Sequence, residues 1–392
     1  MRFAVDAHAI GQHLTGNEVY VRSLLRAFAE IDRESDFIAY ISGREAEQLV
    51  PERFVVRQVA ANPWRRLGWD LPRRVLADNP DLLHVQYTSP LLCSAPVVAT
   101  VHDVSYIEHP EYFTAARLRQ LRFTVARTVK RAAKIITVSE FSRDAILRAY
   151  DIPSEKVHAI PNAANPDFRP IGRERAQKAV RDRLGFDSPF VFSVGDLQPR
   201  KNQIGLIAAF ARLLNEYPNL RHHLVLTGKE TWYTPKVHEA ARNSGYAARI
   251  HFTGFVSDSE LLELYNACDC FAFPSFYEGF GLPILEAMAC GRAVACSNTA
   301  AMPEVADGAG LLFNPRDTDD IRRALKDILI DPELRGRLER LGLQRAASFT
   351  WQKSARATLG VYHEIVGAPL PLEGRNSSGR KEPAVAIAHR DQ

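Results

Sequence analysis

The stretch FPSFYEGFGLPILEAMACG, residues 273–291, decides how the rest of this 392-residue chain is read. Cys270 to Pro274 form an apolar run with the composition of a buried strand. The run enters a loop with two glycines, Gly279 and Gly281. Pro283 stands at the expected first position of an alanine-rich helix and Gly291 closes it, the usual asymmetry of helix ends. A strand, a glycine loop and a helix N-terminus together make an anion site, because free N–H groups and the positive end of the helix dipole meet there. Two carboxylates bracket the loop, Glu278 before it and Glu286 within the first two turns of the helix. Carboxylates repel phosphate but accept strongly from sugar hydroxyls. The stretch therefore points to a ligand carrying both phosphate and sugar. Its bland reading is an ordinary α/β turn with Glu286 exposed on the helix.

Working outward, E-G-F-G-L-P-x-L-E-A-M-A-x-G, from Glu278 to Gly291, resembles the signature of retaining, nucleotide-sugar-dependent glycosyltransferases of family 4. The likeness covers roughly residues 1–365. It implies the GT-B architecture: an α/β fold of two Rossmann-like, doubly wound domains facing a central cleft, with a C-terminal helix crossing back to the first. The resulting division is residues 1–165, joined by a crossing helix 350–366, for the acceptor, and 166–349 for the donor. Residues 367–392 are rich in proline, glycine, serine and charge without an apolar period, which predicts a disordered tail.

Composition agrees with a two-domain globular protein. Hydrophobic residues make up 46% and charged residues 24%, and the formal net charge is only +4, too small to imply nucleic acid. No apolar run reaches the roughly 18 residues that a membrane span needs. MRFAVDAHAIG lacks the features of a signal peptide. The five cysteines form no CxxC pair and suit buried thiols of a cytoplasmic protein.

In the first half, apolar segments at 2–7, 37–41, 54–59, 82–85, 97–101, 135–138 and 157–160 alternate with amphipathic ones, the pattern of a parallel sheet. Ligands of such sheets sit beyond the carboxyl ends of the strands. His8, His84 and His102 all fall there, His102 heading the segment HDVSYIEHPEYF. A zinc site is disfavoured, since no HExxH or close Cys/His pair accompanies them. The resemblance gives His102 a place facing the donor sugar, and puts Gly16, in the loop after the first strand, against the donor phosphates and the acceptor. Ser139 reads as the cap of a helix in TVSEFSRDAIL. Asn162-Ala163 stands where the family more often has Asn-Gly. A charged stretch, RERAQKAVRDRLG, reads as a solvated helix between the domains.

From Phe190 the alternation repeats, with strands at 223–227, 250–252, 270–273, 293–296 and 311–313. FVFSVGDLQPRKNQIG is a second strand–glycine–helix turn, and Arg200 and Lys201 stand where two cations meet a diphosphate. In the family the lysine of this loop binds the diphosphate, and Lys201 matches it. Relatives often carry arginine directly after the glycine, whereas Asp196 is found here. The resemblance further assigns backbone groups of Gly254, Phe255 and Val256 to the nucleotide base. It places Gly279, Phe280, Gly281 and Leu282 around the donor and the TAAMPE loop with Glu304 beside it. Asp317-Thr318-Asp319 mimics a DxD metal motif but opens a helix, where acids favour the dipole.

The reaction so implied is transfer of a hexose, with a lean to mannose from GDP-mannose over a UDP-sugar, to a glycan or lipid-linked acceptor, with retention and without a metal or other cofactor. Glu278, His102, Lys201 and Arg200 are its catalytic candidates, with Glu286 on the ribose hydroxyls. Two basic clusters, Trp64 to Arg74 and Arg117 to Lys134, raise the expectation of peripheral contact with an anionic membrane at its cytoplasmic face. Their bland reading is a solvated basic face and core tryptophans. A sugar-nucleotide epimerase or a bilobal binding protein are the competing readings. The sequence leaves the oligomeric state open.

Overall fold

The computed structural model describes residues 1–12 and 15–367. The tail expected to be disordered therefore lies outside the described residues, save Gly367. Thirteen strands form two wholly parallel sheets among these residues. The first holds β1 (Arg2–Asp6), β2 (Asp36–Ile41), β3 (Val55–Gln58), β4 (Leu82–Gln86), β5 (Val97–Thr100), β6 (Lys134–Thr137) and β7 (Val157–Ala159). Their order is β3-β2-β1-β4-β5-β6-β7. The second holds β8 (Phe190–Val194), β9 (His223–Thr227), β10 (Ile250–Gly254), β11 (Cys270–Phe273), β12 (Val294–Ser297) and β13 (Leu311–Phe313), in the order β10-β9-β8-β11-β12-β13. Both orders reverse direction once, at β1/β4 and at β8/β11, and a crevice opens at the carboxyl ends of such strands.

The strands read as continuous apolar runs because helices cover both faces of each sheet. β4, LLHVQ, is buried at every position. Most strand bounds agree with the sequence expectation to within one or two residues.

Helix α1 (Thr15–Ile31) and helix α2 (Ala115–Arg131) flank the first sheet, and α3 (Glu140–Tyr150) follows β6. Ser139 caps α3 by accepting from the Ser142 N–H at 3.0 Å. Helix α4 (Arg173–Leu184) corresponds to the charged stretch expected to be solvated. It is amphipathic instead: Ala176 and Val180 are buried in the second domain's core, Arg175 and Arg181 are exposed, and the half-buried Arg173 and Arg183 pair with Asp269 and Glu260. Helix α5 (Gln203–Glu216) follows β8, and α6 (Leu282–Ala289) follows β11. Asp317 accepts from the Asp319 and Asp320 N–H groups, which is the capping role that its position predicts.

The last described helix, α7 (Trp351–Val366), returns to the first domain. Trp351, Leu359 and Tyr362 join the core built on Phe3, Phe28 and Phe37. The Tyr362 ring lies 5.0 Å from that of Phe3. Its hydroxyl also meets His84 Nδ1 at 2.6 Å, while His84 Nε2 meets Thr100 Oγ1 at 2.6 Å. His84 is thus a core histidine, held neutral by burial with its pKa down at about 3.

Candidate active site

The loop after β11 and the loop after β8 converge at the carboxyl edge of the second sheet. Arg200 and Lys201 occupy a single 3-10 turn, Pro199–Lys201, ended by Asn202 in a left-handed conformation. Asn202 then caps α5 through its side chain, which accepts from the Gly205 N–H at 3.3 Å. The Lys201 stem crosses directly over Gly195, where a Cβ would meet it at 3.0 Å. Glycine at the end of β8 therefore makes room for the lysine to reach inward.

Both cations reach Glu278. Arg200 Nη1 lies 2.7 Å from Glu278 Oε2, and Lys201 Nζ lies 2.6 Å from Oε1. Arg200 also donates to the Tyr277 carbonyl at 2.7 Å. Burial works against ionisation of Glu278, yet the two cations outweigh it and bring its carboxyl down to about 2. Burial pulls Lys201 below the ordinary lysine value, partly countered by Glu278. For Arg200 burial is likewise outweighed, by Glu278 and Asp103, and its pKa rises. The group is a buried ion triad with one positive charge in excess. Spacing separates these residues into a phosphate half and a sugar half, but the fold joins them.

Gly281 caps α6 with φ 105°, a conformation that favours glycine, and Pro283 takes the second helical position rather than the first. Gly279 serves a different purpose from the expected ligand approach. A Cβ there would lie 2.2 Å from the His102 carbonyl oxygen, so glycine is required where the two domains touch. The Gly279 carbonyl then accepts from Ser139 Oγ at 2.6 Å and Ser142 Oγ at 3.0 Å. Glu304, expected beside the donor, reaches across instead and accepts from the Glu140 and Phe141 N–H groups at the start of α3, at 3.0 and 3.2 Å.

Glu286 is buried rather than exposed. Its Oε2 accepts from the Tyr265 hydroxyl at 2.9 Å, and burial pushes its pKa up to about 7. The two bracketing glutamates thus differ by environment: one is fixed as an anion, the other poised near neutrality.

Across the cleft, His102 Nε2 lies 2.9 Å from Gln86 Oε1, and the Tyr20 ring packs edge-on at 4.8 Å. Burial lowers the His102 pKa to about 4, so its imidazole is neutral. With Nε2–H donating to Gln86, Nδ1 is the acceptor nitrogen. Tyr87, next in the chain, adopts φ 57°, and its ring lies 5.5 Å from that of His102. Asp103 is close enough to shift both Tyr87 and Arg200 electrostatically, so the first domain adds an acid to the cationic turn.

The glycosyl transferases group 1 family model matches residues 176–345, and the glycosyltransferase family 4 model matches 14–168. The O-antigen chain mannosyltransferase B of Escherichia coli is 34% identical over 265 residues, covering 68% of this chain and 69% of that protein. The chain belongs to glycosyltransferase family 4. The serotype-specific mannosyltransferase WbdA of Escherichia coli is 32% identical over 267 residues, which span 67% of this chain but only 32% of WbdA. Among solved structures, Anabaena Alr3699/HepE in complex with UDP and glucose superposes with a TM-score of 0.75 at 21% identity, covering 93% of this chain and 100% of that one. The fold is GT-B and the protein is a glycosyltransferase.

The remaining expected positions of this glycosyltransferase are dispersed around the cleft. Gly254 has φ 69° and ends β10 after a register shift. Phe255 is exposed, with the Lys229 ammonium 5.4 Å above its ring, and Val256 is half-buried. Phe280 turns its side chain into the core against Phe349, so only its backbone is available, and Leu282 is half-buried. Gly16 lies inside the first turn of α1 and not in the preceding loop, and a Cβ there would meet nothing within 4 Å. His8 is oriented by Asp6, Nδ1 to Oδ1 at 3.0 Å. Sequence reasoning missed Gln86, Tyr87, Asp103 and Tyr265. Asp103 carried a faint signal, since it follows His102 just past a strand end.

Proposed function

We propose that this glycosyltransferase moves a mannosyl group from GDP-mannose to a glycan or lipid-linked acceptor, with retention at the anomeric carbon and without a metal. The observation that carries the donor half is the Arg200–Glu278–Lys201 triad at a strand–glycine–helix turn. A diphosphate would take over both cations, and the Gly281–Leu282 end of α6 would add its dipole. Glu278, released from its counter-ions, then accepts from hydroxyls of the sugar, while Glu286 accepts from the ribose. His102 supplies a neutral acceptor on the opposite wall.

Charge develops on the departing diphosphate, so fixed positive groups there give the main stabilisation of the transition state. The C1–O bond to phosphate breaks and the C1–O bond to the acceptor forms on the same face. The acceptor's proton passes to the leaving phosphate oxygen. The lean to mannose rests on likeness to the two mannosyltransferases.

The test is a thermal-shift screen of GDP-, UDP- and ADP-sugars in the presence of EDTA. GDP-mannose should raise the midpoint, and Lys201→Ala should abolish the rise. Glu278→Ala should keep the fold at reduced stability, because it leaves Arg200 and Lys201 without their counter-ion, and lose turnover by about 100-fold or more, in the range of lost transition-state electrostatics. Proton NMR of the product should show the donor's anomeric configuration. A shift with UDP-sugars alone would refute the choice of donor, and an inverted product would refute retention.

A further inference from the structure

The two basic clusters meet on one face, and that face is apolar as well as cationic. Trp64 is 74% exposed, Trp69 60%, Leu92 75%, Leu91 54% and Phe123 70%. The tryptophans are therefore surface residues and not the core residues of the bland reading. Three separate segments bring these side chains together. The Leu91 N–H donates to the Leu67 carbonyl at 2.9 Å, tying the loop after β4 to the helical segment that carries both tryptophans. Arg127 of α2 donates to the Pro90 carbonyl at 3.0 Å and also to that of Leu91. Phe123 lies one turn before Arg127 on the same side of α2.

Charge on this face is mainly positive. Helix α2, AARLRQLRFTVARTVKR, contains no acid, and Arg117, Arg119, Arg122 and Lys130 are exposed. In the neighbouring segment Arg73 and Arg74 are exposed, with the Arg73 guanidinium 5.1 Å from the Trp69 ring. The acids of that segment are engaged: Asp70 accepts from the Ala60 N–H at 3.0 Å and lies 3.9 Å from Arg65 Nε, and Asp78 accepts from the Tyr40 hydroxyl at 3.1 Å and pairs with Arg57. A crevice of 290 Å³ opens beside the loop, lined by Pro90, Leu91, Cys93, Arg127 and Arg131. Arg66, between the tryptophans in sequence, points the other way and is buried against Asp6 at the carboxyl end of β1, 3.7 Å away. The tryptophan end of the face thus lies near the carboxyl edge of the first sheet, while its crevice reaches Val97 and Ala133 at the amino ends of β5 and β6.

From this geometry we infer that the face is a docking surface for an anionic lipid bilayer. Exposed Trp, Phe and Leu side chains among arginines gain little in water, whereas at a membrane interface the rings sit at headgroup level and the guanidiniums meet lipid phosphates. No helix among the described residues is long and apolar enough to cross a membrane. The docking is peripheral and is made by the first domain. This inference is independent of the donor's identity.

The test is sedimentation of the full chain with phosphatidylcholine vesicles, with and without phosphatidylglycerol, together with tryptophan emission. Binding should require phosphatidylglycerol and shift emission to the blue, and Trp64→Phe with Trp69→Phe should remove that shift. Arg119→Gln with Arg122→Gln should weaken binding by about 30-fold, from roughly fivefold per arginine at an anionic surface. All four positions are exposed, so folding is checked by an unchanged thermal midpoint. Absence of binding, or equal binding to phosphatidylcholine alone, overturns the proposal. So does lipid-free self-association lost in Leu91→Ser with Leu92→Ser, which would make the face an interface between copies. Tight binding to heparin and to anionic vesicles alike, without an emission shift, would mark a general polyanion surface and also overturn it.

Discussion

Glu286 shows how burial sets a carboxyl's task. In the unfolded chain its pKa is near 4.5, and in the folded protein about 7. Between those values the folded state holds a proton that the unfolded state has lost, so stability falls as pH rises through this window and levels off above it. Glu286→Gln keeps an acceptor for the Tyr265 hydroxyl and cannot ionise. It should stabilise the protein by up to about 3 kcal/mol near pH 8, with the gain fading toward pH 5. Denaturant unfolding at the two pH values measures this directly. Nucleotide binding should carry the opposite sign, because ribose hydroxyls prefer the ionised carboxylate. Calorimetry should find affinity rising with pH up to about 7 in the wild type and a flat profile in Glu286→Gln. A wild-type affinity independent of pH across this window would remove Glu286 from the ribose.

At the scale of elements, the glycine loop between β11 and α6 both shapes a binding edge and joins two domains. Gly279→Ala places a methyl group 2.2 Å from the His102 carbonyl oxygen and 3.0 Å from the Asp103 Cβ, neither of which is the far end of a flexible side chain. The loop must shift, and with it Glu278 one residue earlier. Turnover should fall by about 100-fold, the usual cost of displacing a positioned group by about an ångström. Nucleotide affinity, read by thermal shift, should fall much less, because α6 and Lys201 belong to the second domain. Equal losses in both would mean that the substitution damages the pocket itself. This loop also shows what spacing reveals. Glu278, Gly281, Pro283 and Glu286 lie within nine residues of one another, so strand, turn and helix fix their relation, and Pro283 is off by a single helical position. Lys201 was legible for the same reason, as part of a second local turn. The contact of Gly279 with His102, the cap that Glu304 places on α3 and the Tyr265 partner of Glu286 depend on elements 21 to 177 residues distant. No local pattern encodes them. The alternation of strands and helices does encode two parallel sheets, because both faces of each are buried.

At the scale of the whole molecule, the chain's last described helix belongs to its first domain, which couples the ends of the sequence. The join has an apolar part, through Trp351, Leu359 and Tyr362, and polar links: Ser354 to the Pro161 carbonyl, Gln352 to Glu30, Lys134 to Glu364, and the buried His84 between Tyr362 and Thr100. His84 is buried and neutral, so each ring nitrogen needs a partner. Tyr362→Phe keeps the ring in the core but removes the hydroxyl, leaving one imidazole nitrogen unsatisfied. The expected cost is about 1–3 kcal/mol of stability. The proposed donor pocket lies on β8, β11, α6 and their loops, whereas Tyr362 packs in the first domain's core. Nucleotide affinity in Tyr362→Phe should therefore match wild type at a temperature where both are folded. Denaturant unfolding paired with calorimetric titration separates the two quantities. If affinity falls with stability, the helix does more than close the first core. If neither changes, the His84 lock contributes nothing, and the apolar contacts of α7 with its Ser354, Gln352 and Glu364 links hold the two ends of the chain together.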